Sequence, residues 1–174
     1  VAASGVIPQL TAVFGNCGGG LGILTSISDF TFMEEGARLF INSANAIPGN
    51  SEETLDTASA AFQFEAGNAD GIGSEEEILS QIRSMIALVP GSNLQEGEVA
   101  EATDDLNRAA EGLDVKRDDA RAAAAELADQ HVFFETRAGY AKEMTTGFIR
   151  LGGITVGIFG NTQKCDDRDD GNQL

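Results

Sequence analysis

The sequence predicts an α/β protein, and three stretches carry that prediction. Residues 9–42 run in the order strand, glycine-rich turn, apolar helix, strand, strand. Residues 74–89 open with Ser-Glu-Glu-Glu and continue with apolar residues at helical spacing. Residues 147–160 place two β-rich runs on either side of a Gly-Gly pair, the pattern of a β-hairpin.

In chain order, QLTAVF (9–14) reads as a short buried strand. GNCGGGLG follows, with Gly15, Gly18, Gly19, Gly20 and Gly22 forming a turn that leads into a short apolar helix over 20–28. DFTFME (29–34) alternates and suits a strand, and ARLFIN (37–42) suits another. Pro48-Gly49-Asn50 marks a turn, and GNADGIGS (67–74) reads as a second loop. Ser74 caps a helix that carries Ile78, Ile82, Met85 and Ile86 and stops before Pro90-Gly91. Glu75, Glu76 and Glu77 are read as groups that favour the positive helix end, not as catalytic acids. Residues 92–129 are acidic and alanine-rich, and 117–130 have high helix propensity with a thin apolar face. A helix is expected around Ala138–Thr146, followed by the hairpin turning at Gly152-Gly153. Residues 162–174 read as a disordered polar tail, and no internal repeat is evident.

Composition narrows the function. The chain has 174 residues, 42 % of them hydrophobic, which is enough for a core, and a net charge of −17 with pI near 4.1. Such a surface repels phosphate backbones and anionic lipid, so nucleic-acid binding and membrane association are not expected. No apolar run approaches the roughly 18 residues of a membrane span, so no membrane insertion is expected. The start, VAASGVIPQL, has no signal-peptide pattern, and a first residue of valine suggests a processed or partial chain. Two cysteines, Cys17 and Cys165, fit a reduced, cytoplasmic setting. One histidine and no Cys-x-x-Cys pair give no metal site, and in DDRDDG Arg168 occupies a calcium-ligand position.

The glycine loop is the candidate site. It lacks the lysine of a phosphate loop, and Gly18, Gly20 and Gly22 do not have dinucleotide-fingerprint spacing. Two readings remain: close packing of helix on sheet, or an oxyanion hole whose backbone N–H groups meet charge developing on a carbonyl oxygen. The second needs no side chain, which accounts for glycine. Cys17 beside it reads better as a small packed residue than as a nucleophile, since His131 lies far along the chain.

Taken together, these residues resemble the carboxyltransferase subunits of biotin-dependent acyl-CoA carboxylases and decarboxylases, such as propionyl-CoA carboxylase β and the methylmalonyl-CoA and glutaconyl-CoA decarboxylase α subunits. The first block is Ser4-Gly5-x-Ile7-Pro8-Gln9, Gly15-x-Cys17-x-Gly19-Gly20, Asp29-Phe30 and Phe32-Met33. The second is Phe134, Tyr140-Ala141-Lys142, Thr146-Gly147-Phe148-Ile149-Arg150-Leu151 and Gly153 to Gly157, with Asp104-Asp105-Leu106-Asn107 between them. The family commonly has proline where this chain has Asn16 and alanine where it has Gly18; neither change harms a backbone hole.

The resemblance implies an incomplete crotonase-type fold, a spiral of strand–strand–helix units. Residues 1–110 would be the C-terminal part of an acyl-CoA-side domain, 111–130 an acidic helical connector and 131–161 the start of a biotin-side domain. It implies transfer of a carboxyl group between N-carboxybiotin and an acyl-CoA, with Gly19 and Gly20 as the catalytic amides. Gly18, Cys17, Phe32 and Met33 would line the substrate side. Biotin would come on a partner, the biotin carboxyl carrier protein, alongside biotin carboxylase or membrane decarboxylase subunits and further copies in a homo-oligomer. The chain would be the middle of a longer subunit and inactive alone. A shortened structural relative, or a biotin-independent hydratase or hydrolase using Glu34 or Glu35, are the alternatives.

Overall fold

A computed structural model describes residues 2–43, 46, 55–97, 99–102, 104–105, 107–116 and 118–162. The Pro48-Gly49-Asn50 turn, Cys165 and the polar tail from residue 163, with its DDRDDG run, lie outside the described residues. The chain divides into two compact units, Val1–Glu98 and Val99–Leu174.

The first unit winds as β1 (Leu10–Val13), β2 (Asn16–Gly18), α1 (Gly20–Thr25), β3 (Phe30–Glu34), β4 (Arg38–Phe40), α2 (Ala60–Glu65), β5 (Gly71–Gly73) and α3 (Glu75–Leu88). Strands β1, β3 and β5 form one sheet, and β2 and β4 pair separately. All these pairings are parallel, with Leu10 opposite Phe30, Phe32 opposite Gly71 and Cys17 opposite Leu39. Successive turns of the chain therefore stack strand on strand, each turn closing with a helix. This is a repeat in structure where none was evident in sequence. Each turn packs against different neighbours, so the geometry recurs while the residues do not.

Local chemistry explains most elements. Val13, Met33, Ala37, Leu39, Ala60 and Ala69 form the core of this unit. The α3 helix has a complete capping box: Ser74 Oγ accepts from the Glu77 N–H while Glu77 accepts from the Ser74 N–H at 2.8 Å. Ile78 and Met85 are fully buried on α3, whereas Ile86 is exposed. Three elements of this unit lay hidden in the sequence: β2, β5 and α2. The α2 helix starts at Ser59, whose hydroxyl accepts from the Phe62 N–H at 3.3 Å. In β5 a side chain at Gly71 would press on Phe32 Cδ1 at 2.9 Å, so glycine is what lets this strand join.

The second unit contains α4 (Leu113–Lys116), α5 (Ala120–Leu127), a 3₁₀ turn (Asp129–His131), β6 (Phe133–Thr136), β7 (Met144–Leu151) and β8 (Ile154–Asn161). Strands β6, β7 and β8 form an antiparallel sheet in that order. Ala124 and Ala128 pack on Ile149, with Phe133, Val156 and Ile158 around them. The thin apolar face of α5 thus suffices, because alanines let the helix lie close. The Asp119 carboxylate caps its start, and Arg108 donates to the carbonyls of Glu126, Leu127 and Ala128 at its end.

The helix expected over Ala138–Thr146 does not form. Arg137 and Ala141 have left-handed backbone (φ 54° and 45°), and β7 begins at Met144. Thr145 and Thr146 are β-branched and enter the ladder, Thr146 opposite Thr136 with their hydroxyls 3.1 Å apart. The hairpin is as expected. Leu151 pairs with Ile154, and Gly152 and Gly153 both have positive φ, the requirement of a two-residue type I′ turn. Asp129 accepts from both turn amides, at 3.0 and 2.7 Å.

Candidate functional site: the start of α1

The glycine loop is partly strand. Asn16, Cys17 and Gly18 pair with Arg38, Leu39 and Phe40, and the ladder ends where the Gly19 N–H donates to the Phe40 carbonyl at 3.1 Å. Gly19 then turns the chain with φ 60° and ψ −127°, a conformation suited to glycine, and α1 begins. The helix starts elsewhere show what is unusual here. Ser59, Ser74 and Asp119 each place a side chain on the first amides of α2, α3 and α5. On α1 there is no side-chain cap and no acid in the first turn. The N–H groups of Gly20 and Leu21 make no hydrogen bond among the described residues. Such amides, at the positive end of a helix, hold negative charge on an oxygen.

The glycines now separate by cause. Gly22 is buried, and a Cβ there would stand 2.6 Å from the Phe40 carbonyl oxygen, so glycine lets α1 lie against β4. At Gly18 a Cβ would meet the Phe40 ring at 2.5 Å. Gly15 and Gly19 carry positive φ. Gly20 has neither cause: its φ is ordinary, and nothing lies within 4 Å of where its Cβ would be. A side chain would therefore fit the fold at Gly20. Packing and an open amide site thus share one loop.

The expected site residues therefore fall into groups. Gly20 is exposed, and its N–H makes no hydrogen bond among the described residues. The Gly19 N–H is taken by the Phe40 carbonyl, so Gly19 shapes the turn. Phe32 and Met33 are 1 % and 0 % exposed, inside the core of β3. Cys17 is a half-buried free thiol packed against the core. Glu34 closes β3 opposite Gly73, and Glu35 is exposed beyond it. His131, on the 3₁₀ turn of the second unit, places Nδ1 3.3 Å from the Ala125 carbonyl. A groove of about 560 Å³ runs between Ile7–Leu10 and the end of α3, but none of these residues lines it. Sequence reasoning missed Thr25, Thr31 and Asp70, three buried polar residues behind α1. Asp70, an acid inside the small-residue run AGNADGIG, was the available signal.

Comparison with known proteins decides the family. The carboxyl transferase domain matches residues 1–171. The chain belongs to the carboxyl transferase domain family. It is 34 % identical over 170 residues to a putative propionyl-CoA carboxylase beta chain of Bacillus subtilis (strain 168), covering 92 % of this chain and 34 % of that protein. It is 30 % identical over 177 residues to the mitochondrial propionyl-CoA carboxylase beta chain of Sus scrofa, covering 94 % and 33 %. It is 28 % identical over 172 residues to the methylmalonyl-CoA carboxyltransferase 12S subunit of Propionibacterium freudenreichii subsp. shermanii, covering 92 % and 33 %. The chain spans about a third of the length of these relatives. In structure it resembles a transcarboxylase 12S crystal structure with methylmalonyl-coenzyme A and methylmalonic acid bound, with a TM-score of 0.81 and 25 % identity over 93 % of this chain and 33 % of that one. The expected crotonase-type carboxyltransferase fold, present in part, is borne out by this match. No helix among the described residues is long and apolar enough to cross a membrane.

Proposed function

We propose that this carboxyl transferase chain forms the acyl-CoA side of a site that moves a carboxyl group between N-carboxybiotin and an acyl-CoA. The uncapped start of α1 carries this reading. The Gly20 amide, with Leu21 beside it, would receive the thioester oxygen as negative charge develops on it. Gly19 would aim these amides by its left-handed turn, Gly18 and Cys17 would form the floor, and Phe32 and Met33 would support it from the core. Biotin held on a carrier partner would supply or accept the carboxyl group at this site.

Charge fits a divided site. Up to residue 98 the only cationic side chains are Arg38 and Arg83, and Arg38 is held by Asp56 through two 2.8 Å bonds. Cations for the CoA phosphates would therefore come from other parts of the assembly. On this reading residues 1–110 are the end of the acyl-CoA-side domain, 111–130 the connector and 131–161 the start of the biotin-side domain. Partners would be a biotin carboxyl carrier protein, a biotin carboxylase or decarboxylase subunits, and further copies of the chain, in the cytoplasm. A non-catalytic relative and a biotin-independent hydratase or hydrolase find less support, since every relative described above is named for carboxylation or carboxyl transfer.

The test uses the full-length protein that contains this chain, with methylmalonyl-CoA as donor and free biotin as acceptor. The expected result is avidin-sensitive transfer that Gly20→Val lowers by about 100-fold or more with the fold intact. Transfer insensitive to avidin, or undiminished in Gly20→Val, would overturn the reading.

A further inference from the structure

Among the described residues of the first unit, three polar side chains are buried: Thr25, Thr31 and Asp70, at 6 %, 5 % and 8 % exposure. They form one connected chain. Asp70 Oδ2 accepts from the Thr31 N–H at 2.9 Å, and the Asp70 N–H donates to the Thr31 carbonyl at 2.7 Å. Thr31 Oγ1 donates to the Thr25 carbonyl at 3.4 Å. Thr25 Oγ1 donates to the Gly22 carbonyl at 2.7 Å. The path runs from the chain entering β5, through β3, to the last residue of α1 and back to its third.

Polar groups are costly to bury unless bonded, and apolar residues would fill the same space. What a bonded chain adds is direction, because each donor and acceptor accepts only a narrow range of positions. The other flank of α1 is set by Gly22 against the Phe40 carbonyl. A six-residue helix has little rigidity of its own, so this chain acts with the Gly22 contact and the Gly19 N–H bond to the Phe40 carbonyl to fix where its first amides point.

We propose that Thr31 and Asp70 are positioning residues for the Gly20 amide: they hold α1 to the β3–β5 edge, and the amide stays in place through that hold. This rests on the carboxyltransferase reading for its effect on turnover, but not for its effect on α1 itself.

The experiment compares wild type, Thr31→Val and Thr31→Ser in the full-length protein. Hydrogen–deuterium exchange is followed over residues 14–25, together with kcat and KM for methylmalonyl-CoA. In Thr31→Val, exchange in 14–25 rises about tenfold while other segments hold, and kcat falls about tenfold with KM within about twofold; Thr31→Ser restores both. Native exchange over 14–25 in Thr31→Val overturns the proposal, as does a rise spread over the whole chain that serine does not restore. If wild type shows no avidin-sensitive transfer, the carboxyltransferase reading fails, and the exchange difference alone still decides whether Thr31 holds α1.

Discussion

At Gly22 an alanine methyl would stand 2.6 Å from a backbone oxygen that has no room to move, whereas at Gly20 the same methyl would meet nothing within 4 Å. The two substitutions should therefore separate in stability. Gly22→Ala is expected to cost about 1–3 kcal/mol, as other small-to-large changes in packed sites do. Gly20→Ala is expected to leave stability unchanged or raise it by up to about 1 kcal/mol, because alanine loses less backbone entropy in a helix. Urea unfolding of the two variants checks this. Equal losses would mean that the opening above Gly20 is closed in solution. The two glycines are two positions apart in one motif, and only the approach of Phe40 tells them apart.

At the scale of elements, the capped helix and the clamped hairpin are each held by a carboxylate. Glu77 sits below the ordinary carboxylate value of 4.5, first because it accepts from the Ser74 N–H and then because it accepts from the Ser74 hydroxyl. A depressed folded value stabilises the helix at pH above 4.5, and that contribution disappears as pH falls through the folded value. The stability difference between wild type and Glu77→Gln is thus expected to be steady near neutral pH and to shrink in acid. Chemical denaturation across that range measures it, and a difference that grows in acid would contradict the cap. Asp129 does similar work by accepting from both Gly152 and Gly153. Asp129→Ala should destabilise the second unit by about 1–3 kcal/mol, since two part-buried amides lose their acceptor. Asp129→Asn should cost less, because its one carbonyl oxygen still accepts. Equal unfolding midpoints for Asp129→Ala and wild type would show that the glycine turn needs no clamp.

The whole molecule carries a net charge of −17, and its ion pairs, such as Arg38–Asp56 and Arg121–Glu135, are partly exposed. Pairs of that kind contribute roughly 0–1 kcal/mol each. Self-repulsion should outweigh them, so raising ionic strength to about 0.15 M, where screening acts over about 8 Å, is expected to raise the melting temperature. A fall with added salt would mean that the ion pairs dominate. On the proposed reading, a chain so poor in cations in its first 98 residues would meet the acyl end of a CoA thioester and not its phosphates.

How much was legible follows from where each instruction resides. Strands β1, β3 and β4, helices α1 and α3 and the Gly152-Gly153 hairpin were readable because apolar period, capping residues and turn residues act within a few positions. Strands β2 and β5 are three residues long and glycine-rich, and they exist as strands only because β4 and β3 lie beside them. The stretch before β7 was misread as helix because alanine, lysine and glutamate favour one locally, while Thr145 and Thr146 are claimed by the partners β6 and β8. The site divides in the same way. Glycine content, and the family resemblance it supports, could be read from the chain alone. The direction of each amide could not: the β2–β4 ladder takes the Gly19 N–H and leaves the Gly20 N–H open, and Phe32 and Met33 are buried because a middle strand is covered on both faces. Local sequence specifies which conformations are cheap, whereas the partner of a hydrogen bond is specified by whichever distant strand arrives beside it.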